Sequence, residues 1–184
     1  MALSKIDVAN MLTGATPVAN GGTGATSFTA GITEADQWRL SSNFSGDANP
    51  IASNWERNDT DFDKIGTGLS QASGIFSFAN TGIYLITANW NGYYNGDSKY
   101  NEYEIMVTTN NSSYTRRAVT SQFIQQTSSD NGDAMCSTNC IIDVTDTANV
   151  KFRISFAAAD NGVTTKGNTA SNNTFITSIR LGDT

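Results

Sequence analysis

Apolar residues in this chain recur at every second position and never keep a helical spacing for more than two turns. Val150-Lys151-Phe152-Arg153-Ile154-Ser155-Phe156 alternates apolar and polar side chains without a break. Successive side chains leave a strand on opposite faces, so this pattern predicts a strand with one face in a core and the other toward water. Tyr103, Ile105 and Val107 alternate in the same way with Glu102 and Glu104. In 175–181, Phe175, Thr177, Ile179 and Leu181 face opposite to Ile176, Ser178 and Arg180. The run Gly82 to Trp90 is apolar on both faces, which predicts a strand covered on both sides. Turn signals separate these runs: Asn80-Thr81-Gly82, Asn91-Gly92, Asn95-Gly96, Asn110-Asn111, Asn131-Gly132 and Asn161-Gly162. The composition points the same way, since 19 Ser, 24 Thr and 20 Asn favour strands and turns and compete with helix interiors. The expected fold class is all-β, a two-sheet antiparallel sandwich.

The 184 residues suit one domain with a short extension. Histidine is absent, which removes Ser-His-Asp and Cys-His nucleophiles, an imidazole base and His-ligated zinc. Carboxylate-only catalysis remains, as in glycoside hydrolysis, but Glu34, Glu56, Glu102 and Glu104 stand in no distinguishing context. The chain is therefore expected to be non-enzymatic and to use no cofactor. Seventeen acidic residues against eleven basic ones give a net charge of −6, which argues against binding nucleic acid. No apolar run approaches the ~20 residues of a membrane helix, so no membrane insertion is expected. The start, Met1 to Asp7, lacks the apolar core of a secretory signal.

Three groups offer themselves for chemistry. Asp59, Asp61 and Asp63 would share one face of a strand, a weak candidate for calcium. An EF-hand would need Gly where Lys64 stands and Glu where Ser70 stands, so that motif fails. Cys136 and Cys140 lie four residues apart, about 13 Å along a continuous strand, too far to bridge without a turn at 137–139. They are expected to be two small half-buried thiols. Among the clustered aromatics, Trp90 and Tyr103 fall in apolar strands and are expected in the core or at an interface. Tyr93, Tyr94 and Tyr100 stand beside Asn-Gly turns and are the candidate receptor-binding residues.

The chain divides near residue 33, because residues 8–33 carry no charge and hold five glycines and one proline. Such a segment cannot offset its own ordering entropy by burial, so it reads either as a flexible leader or, being small-residue and uncharged, as an extended segment that orders against a partner. Within it, Thr16-Pro17-Val18-Ala19-Asn20-Gly21-Gly22-Thr23-Gly24-Ala25-Thr26 resembles a segment near the start of bacteriophage tail-fibre and related virion proteins. That resemblance implies virion attachment through Pro17, Val18, Asn20, Gly21, Gly22 and Gly24. Ser73-Gly74-Ile75-Phe76-Ser77-Phe78-Ala79-Asn80-Thr81-Gly82-Ile83-Tyr84-Leu85-Ile86, with the closing run Asn173 to Leu181, resembles the jelly-roll head of the complement C-one-q and tumour necrosis factor superfamily. Thr147-Ala148-Asn149-Val150 departs from it, standing where that family has a Gly-Asp turn.

Together the two resemblances imply residues 1–35 as an extended attachment or trimerisation segment and 36–184 as a jelly-roll head forming a homotrimer. They imply a structural virion protein of a tailed phage, a tail fibre or knob that meets other virion proteins and a host-surface glycan or protein. A capsid-decorating head fibre is the alternative on the same particle, and a monomeric carbohydrate-binding module the alternative of another class.

Overall fold

Thirteen strands, and no helix among the described residues, make up the chain from Ala35 onward. The computed structural model describes residues 31–59 and 61–184. The attachment residues proposed from the sequence, Pro17 to Gly24, lie outside the described residues. The strands are β1 (Ala35–Leu40), β2 (Phe44–Ser45), β3 (Trp55–Arg57), β4 (Lys64–Ile65), β5 (Ser70–Ala72), β6 (Ile75–Ser77) and β7 (Gly82–Tyr94). They continue as β8 (Asn101–Thr108), β9 (Thr115–Ser121), β10 (Gly132–Val144), β11 (Lys151–Ala158), β12 (Thr164–Thr165) and β13 (Phe175–Gly182). One sheet runs β2-β12-β7-β13-β1-β3, with β10 on the other edge of β7 and β4 on β1. The second runs β5-β6-β11-β8-β9.

The alternating segments put their apolar residues between the two sheets. Phe152, Ile154 and Phe156 from β11, with Tyr103, Ile105 and Val107 from β8, are fully buried opposite Tyr84, Ile86, Ala88 and Trp90 from β7. Phe76 stacks on Phe152 at 5.0 Å, and Trp55 and Trp38 meet its ring edge-on at 5.2 and 5.8 Å. Trp90 stacks on Phe156 at 5.1 Å, and its indole N–H donates to Thr165 Oγ1 at 2.9 Å. This buried apolar and aromatic area is the main term favouring the fold.

Two buried carboxylates tie β1 to the segment after it. Asp36 accepts from Arg57 Nε and Nη2 at 3.1 Å each, from Trp38 Nε1 at 3.0 Å and from the backbone N–H of Leu69 at 2.7 Å. Glu34 accepts from the N–H of Gly68 at 2.8 Å and from Asn80 Nδ2 at 2.7 Å. Buried charges persist only when paired and hydrogen-bonded in this way.

The structure departs from the sequence expectations in three places. Asn91-Gly92 is no turn: both residues lie inside β7, which runs unbroken for 13 residues. Glycine is needed there for close approach, because a Cβ at Gly92 would collide with the Trp90 ring and the Thr164 carbonyl. Asp59, Asp61 and Asp63 do not share a strand face, since they fall in the loop between β3 and β4, where Asp61 has φ +66°. The outer face of β7 is not covered by any of the described residues, and Ile83 and Leu85 are only half-buried. Elsewhere the turns read as expected. At 145–149, in place of a Gly-Asp turn, Asp146 accepts from the N–H of Ala148 at 2.8 Å and its own carbonyl accepts from Val150 N–H at 2.8 Å. The Ala148 N–H first, and the Asn149 side chain second, hold the Asp146 carboxyl below the usual carboxylate range.

Candidate functional site

Strand register gives the outer face of the larger sheet a definite pattern. Ala35 lies across from Ile179, Ile179 from Leu85, and Leu85 from Ile141, so four neighbouring strands form one apolar row. The next row is Gln37, Thr177, Thr87 and Asn139, and the row beyond it Arg39, Phe175, Asn89 and Ser137. On this face Met135 is 71% exposed and Ile141 66%. Large apolar side chains aligned and unpartnered on a soluble protein mark an interaction surface. At the third row lies a depression of about 360 Å³, edged by Asn89, Ser137 and Phe175 of that row and by Asn91, Met135 and Asn172 beyond it. Arg39 closes the β1 side of this face. It is 1% exposed, donates to Glu56 Oε1 at 2.7 and 2.9 Å, and reaches Asn58 Oδ1 at 2.6 Å and Asp59 Oδ1 at 2.7 Å. The loop that the sequence offers as a calcium candidate thus spends its first carboxylate on an arginine, while Asp61 and Asp63 are exposed. Among the described residues no group of three or more Cys, Asp or Glu is placed to hold a metal ion.

The fold has two distinct ends. β1 begins at the level of Leu85, close to the start of β7, and β7 then runs nine residues further to Tyr94. At about 3.3 Å per residue, the loops beyond Tyr94 stand about 30 Å from where the chain enters β1. This distal end is formed by 95–100, 122–131 and 159–163. The loops are tied together: Gln126 N–H donates to Asp97 Oδ1 at 2.8 Å, Gln126 Nε2 to Asn95 Oδ1 at 2.9 Å, and Asn95 Nδ2 to the Ser129 carbonyl at 2.8 Å. Ala159 N–H donates to the Tyr100 carbonyl at 2.9 Å.

The three candidate tyrosines all reach this end but do not converge. Tyr93 lies on the outer side of β7 across from Asp133, with Lys166 Nζ 5.5 Å from its ring and Lys166 paired to Asp133. Tyr94 packs against the core, and its ring fills the space above Gly96 and Gly162. A hydrogen bond with Asp160 pushes its phenol up, so it acts as a post beneath the loops. Tyr100 is 46% exposed, on the side of the smaller sheet. Sequence reading missed Phe123, which is 60% exposed beside it. A single apolar residue in a polar stretch carries no periodic signal, and only the pairing of 98 with 124 reveals its place.

Cys136 and Cys140 are free and half-buried on the inner side of the continuous strand β10. No turn interrupts 137–139, so strand geometry keeps the sulfurs apart. Burial pushes both thiols up from their ordinary value, opposed by a hydrogen bond with Thr120 at Cys136 and by the charge of Arg117 at Cys140.

In sequence the chain matches no protein-family model and no curated protein. In structure it is similar to the Eiger TNF of S. frugiperda, at TM-score 0.60 and 16% identity over 84% of this chain and 96% of that one. It is also similar to murine APRIL, at TM-score 0.54 and 12% identity over 80% of this chain and 98% of that one. A second structure of murine APRIL, at pH 5.0, gives TM-score 0.55 and 11% identity over the same shares. The fold is a TNF-like jelly roll.

Proposed function

We propose that the chain is a non-enzymatic structural protein of a tailed bacteriophage, a trimeric knob or short fibre held to the particle by its N-terminal segment. The observation that carries the trimer is the apolar row Ala35–Ile179–Leu85–Ile141 on an outer sheet face that no described residue covers. A second and third copy of the same chain would bury it, and a ring of subunits closes without leaving a free patch. The resemblance of residues 16–26 to a virion attachment segment supports the phage assignment. The two-ended fold supports the division of labour: the chain enters at one end, and the tied loops stand at the other, turned toward a host surface. Three copies on one rigid head would raise a weak contact by orders of magnitude through avidity.

The test is the mass in solution, by light scattering, of the full chain and of residues 32–184, together with particle incorporation of both. Three chains in each case, with only the full chain found on virions, is the expected result. A monomer in both cases, or the truncated protein on virions, overturns the reading.

A further inference from the structure

The distal end carries a small groove whose making is visible in the strand register. β8 and β9 pair Glu102 with Ser121, and beyond them Gln122 N–H still donates to the Asn101 carbonyl at 3.2 Å. Ser98 and Ile124 then bond each other in both directions, at 2.8 and 2.9 Å. Two residues, Lys99 and Tyr100, therefore oppose the single Phe123, which is a β-bulge, a device that re-aims side chains at a rim. Ser98 and Ile124 on either side are buried, so the backbone beneath the groove is anchored, while Tyr100 and Phe123 are exposed. The groove, about 260 Å³, is lined by Asp97, Lys99, Phe123, Ile124 and Gln125 with Ser98 at its base.

We propose that this groove binds a single pyranose ring of a cell-surface polysaccharide, with the apolar C–H face of the sugar on Phe123 and its hydroxyls on Asp97, Lys99 and Gln125. The inference rests on the knob meeting a surface with this end and names the chemistry it meets there. A pyranose has one face of C–H groups and a rim of hydroxyls that both donate and accept. The exposed Phe123 ring takes the first at low entropic cost, since the side chain has only two rotatable bonds. A carboxylate and an ammonium side by side take the second, because one only accepts and the other only donates. Asp97 is already oriented by its bond from Gln126 N–H, and the amides of Asn95 and Gln126 are locked to each other, so the wall is formed before any ligand arrives. The size of the groove also favours a sugar over a protein: a stable protein contact needs about 800 Å² on each side, whereas a ring-sized notch suits a small ligand.

The experiment is saturation-transfer NMR on the full chain with methyl glucoside, methyl galactoside, N-acetylglucosamine and glucuronate. Transfer to the ring protons of at least one sugar is expected. Phe123→Ala is expected to weaken it about tenfold, the usual effect of removing a stacking ring, and Tyr100→Ala, outside the lining of the groove, to weaken it less. Tyr93→Ala, on the other sheet, leaves it unchanged. All three residues are at least partly exposed, and an unchanged thermal melt confirms that the variants fold. No transfer to any of the four sugars, or transfer undiminished in Phe123→Ala, overturns the proposal. A trimer that binds no sugar removes the groove and keeps the knob, whereas a monomer that binds sugar through Phe123 keeps the groove and removes the knob.

Discussion

Ile141→Asp tests the trimer where the structure is most specific. Ile141 is 66% exposed in the single chain and ends the apolar row that begins at Ala35. Fully burying an isoleucine contributes roughly 1.5–3 kcal/mol, so about 1–2 kcal/mol remains to be gained when a neighbouring subunit covers it. Aspartate forfeits that gain and adds the cost of desolvating a carboxylate, at least about 2 kcal/mol. About 3 kcal/mol per subunit becomes about 9 per trimer, or six to seven decades in a dissociation constant with units of concentration squared. The midpoint concentration scales as its square root and rises by about three decades, so a trimer that dissociates near ~1 nM would do so near ~1 μM. The assay is mass photometry and light scattering across that range, with circular dichroism to confirm the fold. Because the substitution sits on an exposed face, folding is retained. Ser70→Asp, exposed on β5 of the opposite sheet, is the control and keeps its mass. If Ile141→Asp stays trimeric at the lowest concentration, the outer face of the larger sheet is not the interface, and the argument from the apolar row is wrong.

Other outcomes follow from the interior. Arg57→Met strands the Asp36 carboxylate, and because Arg57 is itself 27% exposed the loss belongs at the lower end of the ~3–5 kcal/mol for breaking a buried pair. A thermal melt would register that as a fall of roughly 10 °C, and a shift of a degree or two would mean that water already replaces the arginine. Tyr103 is completely buried and its hydroxyl has no hydrogen-bond partner, so Tyr103→Phe is expected to be neutral or stabilising in urea melts at pH 7. Burial first, and the nearby Cys136 second, hold the Tyr103 phenol well above its ordinary value near 10. The folded state therefore keeps a proton that the unfolded state releases, and stability is full below about pH 10 and falls as pH rises beyond it. Tyr103→Phe should flatten that alkaline decline, and an unchanged slope would assign it to another group. Iodoacetamide should alkylate Cys136 and Cys140 slowly at neutral pH and faster only above the ordinary thiol range, since the thiolate is the reactive form. Rapid labelling at pH 7, or an oxidised protein lighter by two hydrogens, would refute the two free half-buried thiols.

Alternation alone was enough to place the core strands. Val150 to Phe156 and Tyr103 to Val107 each carry a period of two, and each became a strand with its apolar face inside, because burial acts on every second side chain whatever the neighbour is. Phe175 to Leu181 also became a strand, but it turns Phe175, Ile179 and Leu181 outward and buries Ile176 and Ser178. The same local logic separated the two cysteines, since strand rise is a property of the backbone. Where the sequence misled, distant residues decided. Asn91-Gly92 has the chemistry of a turn, but the Trp90 ring and the Thr164 carbonyl need the space above Gly92, and the strand runs through. Asp59 has the spacing of a strand-face carboxylate, but it lies in a loop, where it pairs at 2.7 Å with the buried Arg39, twenty residues earlier. The apolar row exists only because four strands from four separate parts of the chain align in register, and Phe123 stands opposite Lys99 and Tyr100 only because a bulge sets two residues against one. The sequence by itself determined that this chain is a β-sandwich and which side chains of β8 and β11 fill it, because those follow from local periodicity. Only the tertiary structure decided which surfaces are free to bind, because a surface is made of residues that the chain brings together from far apart.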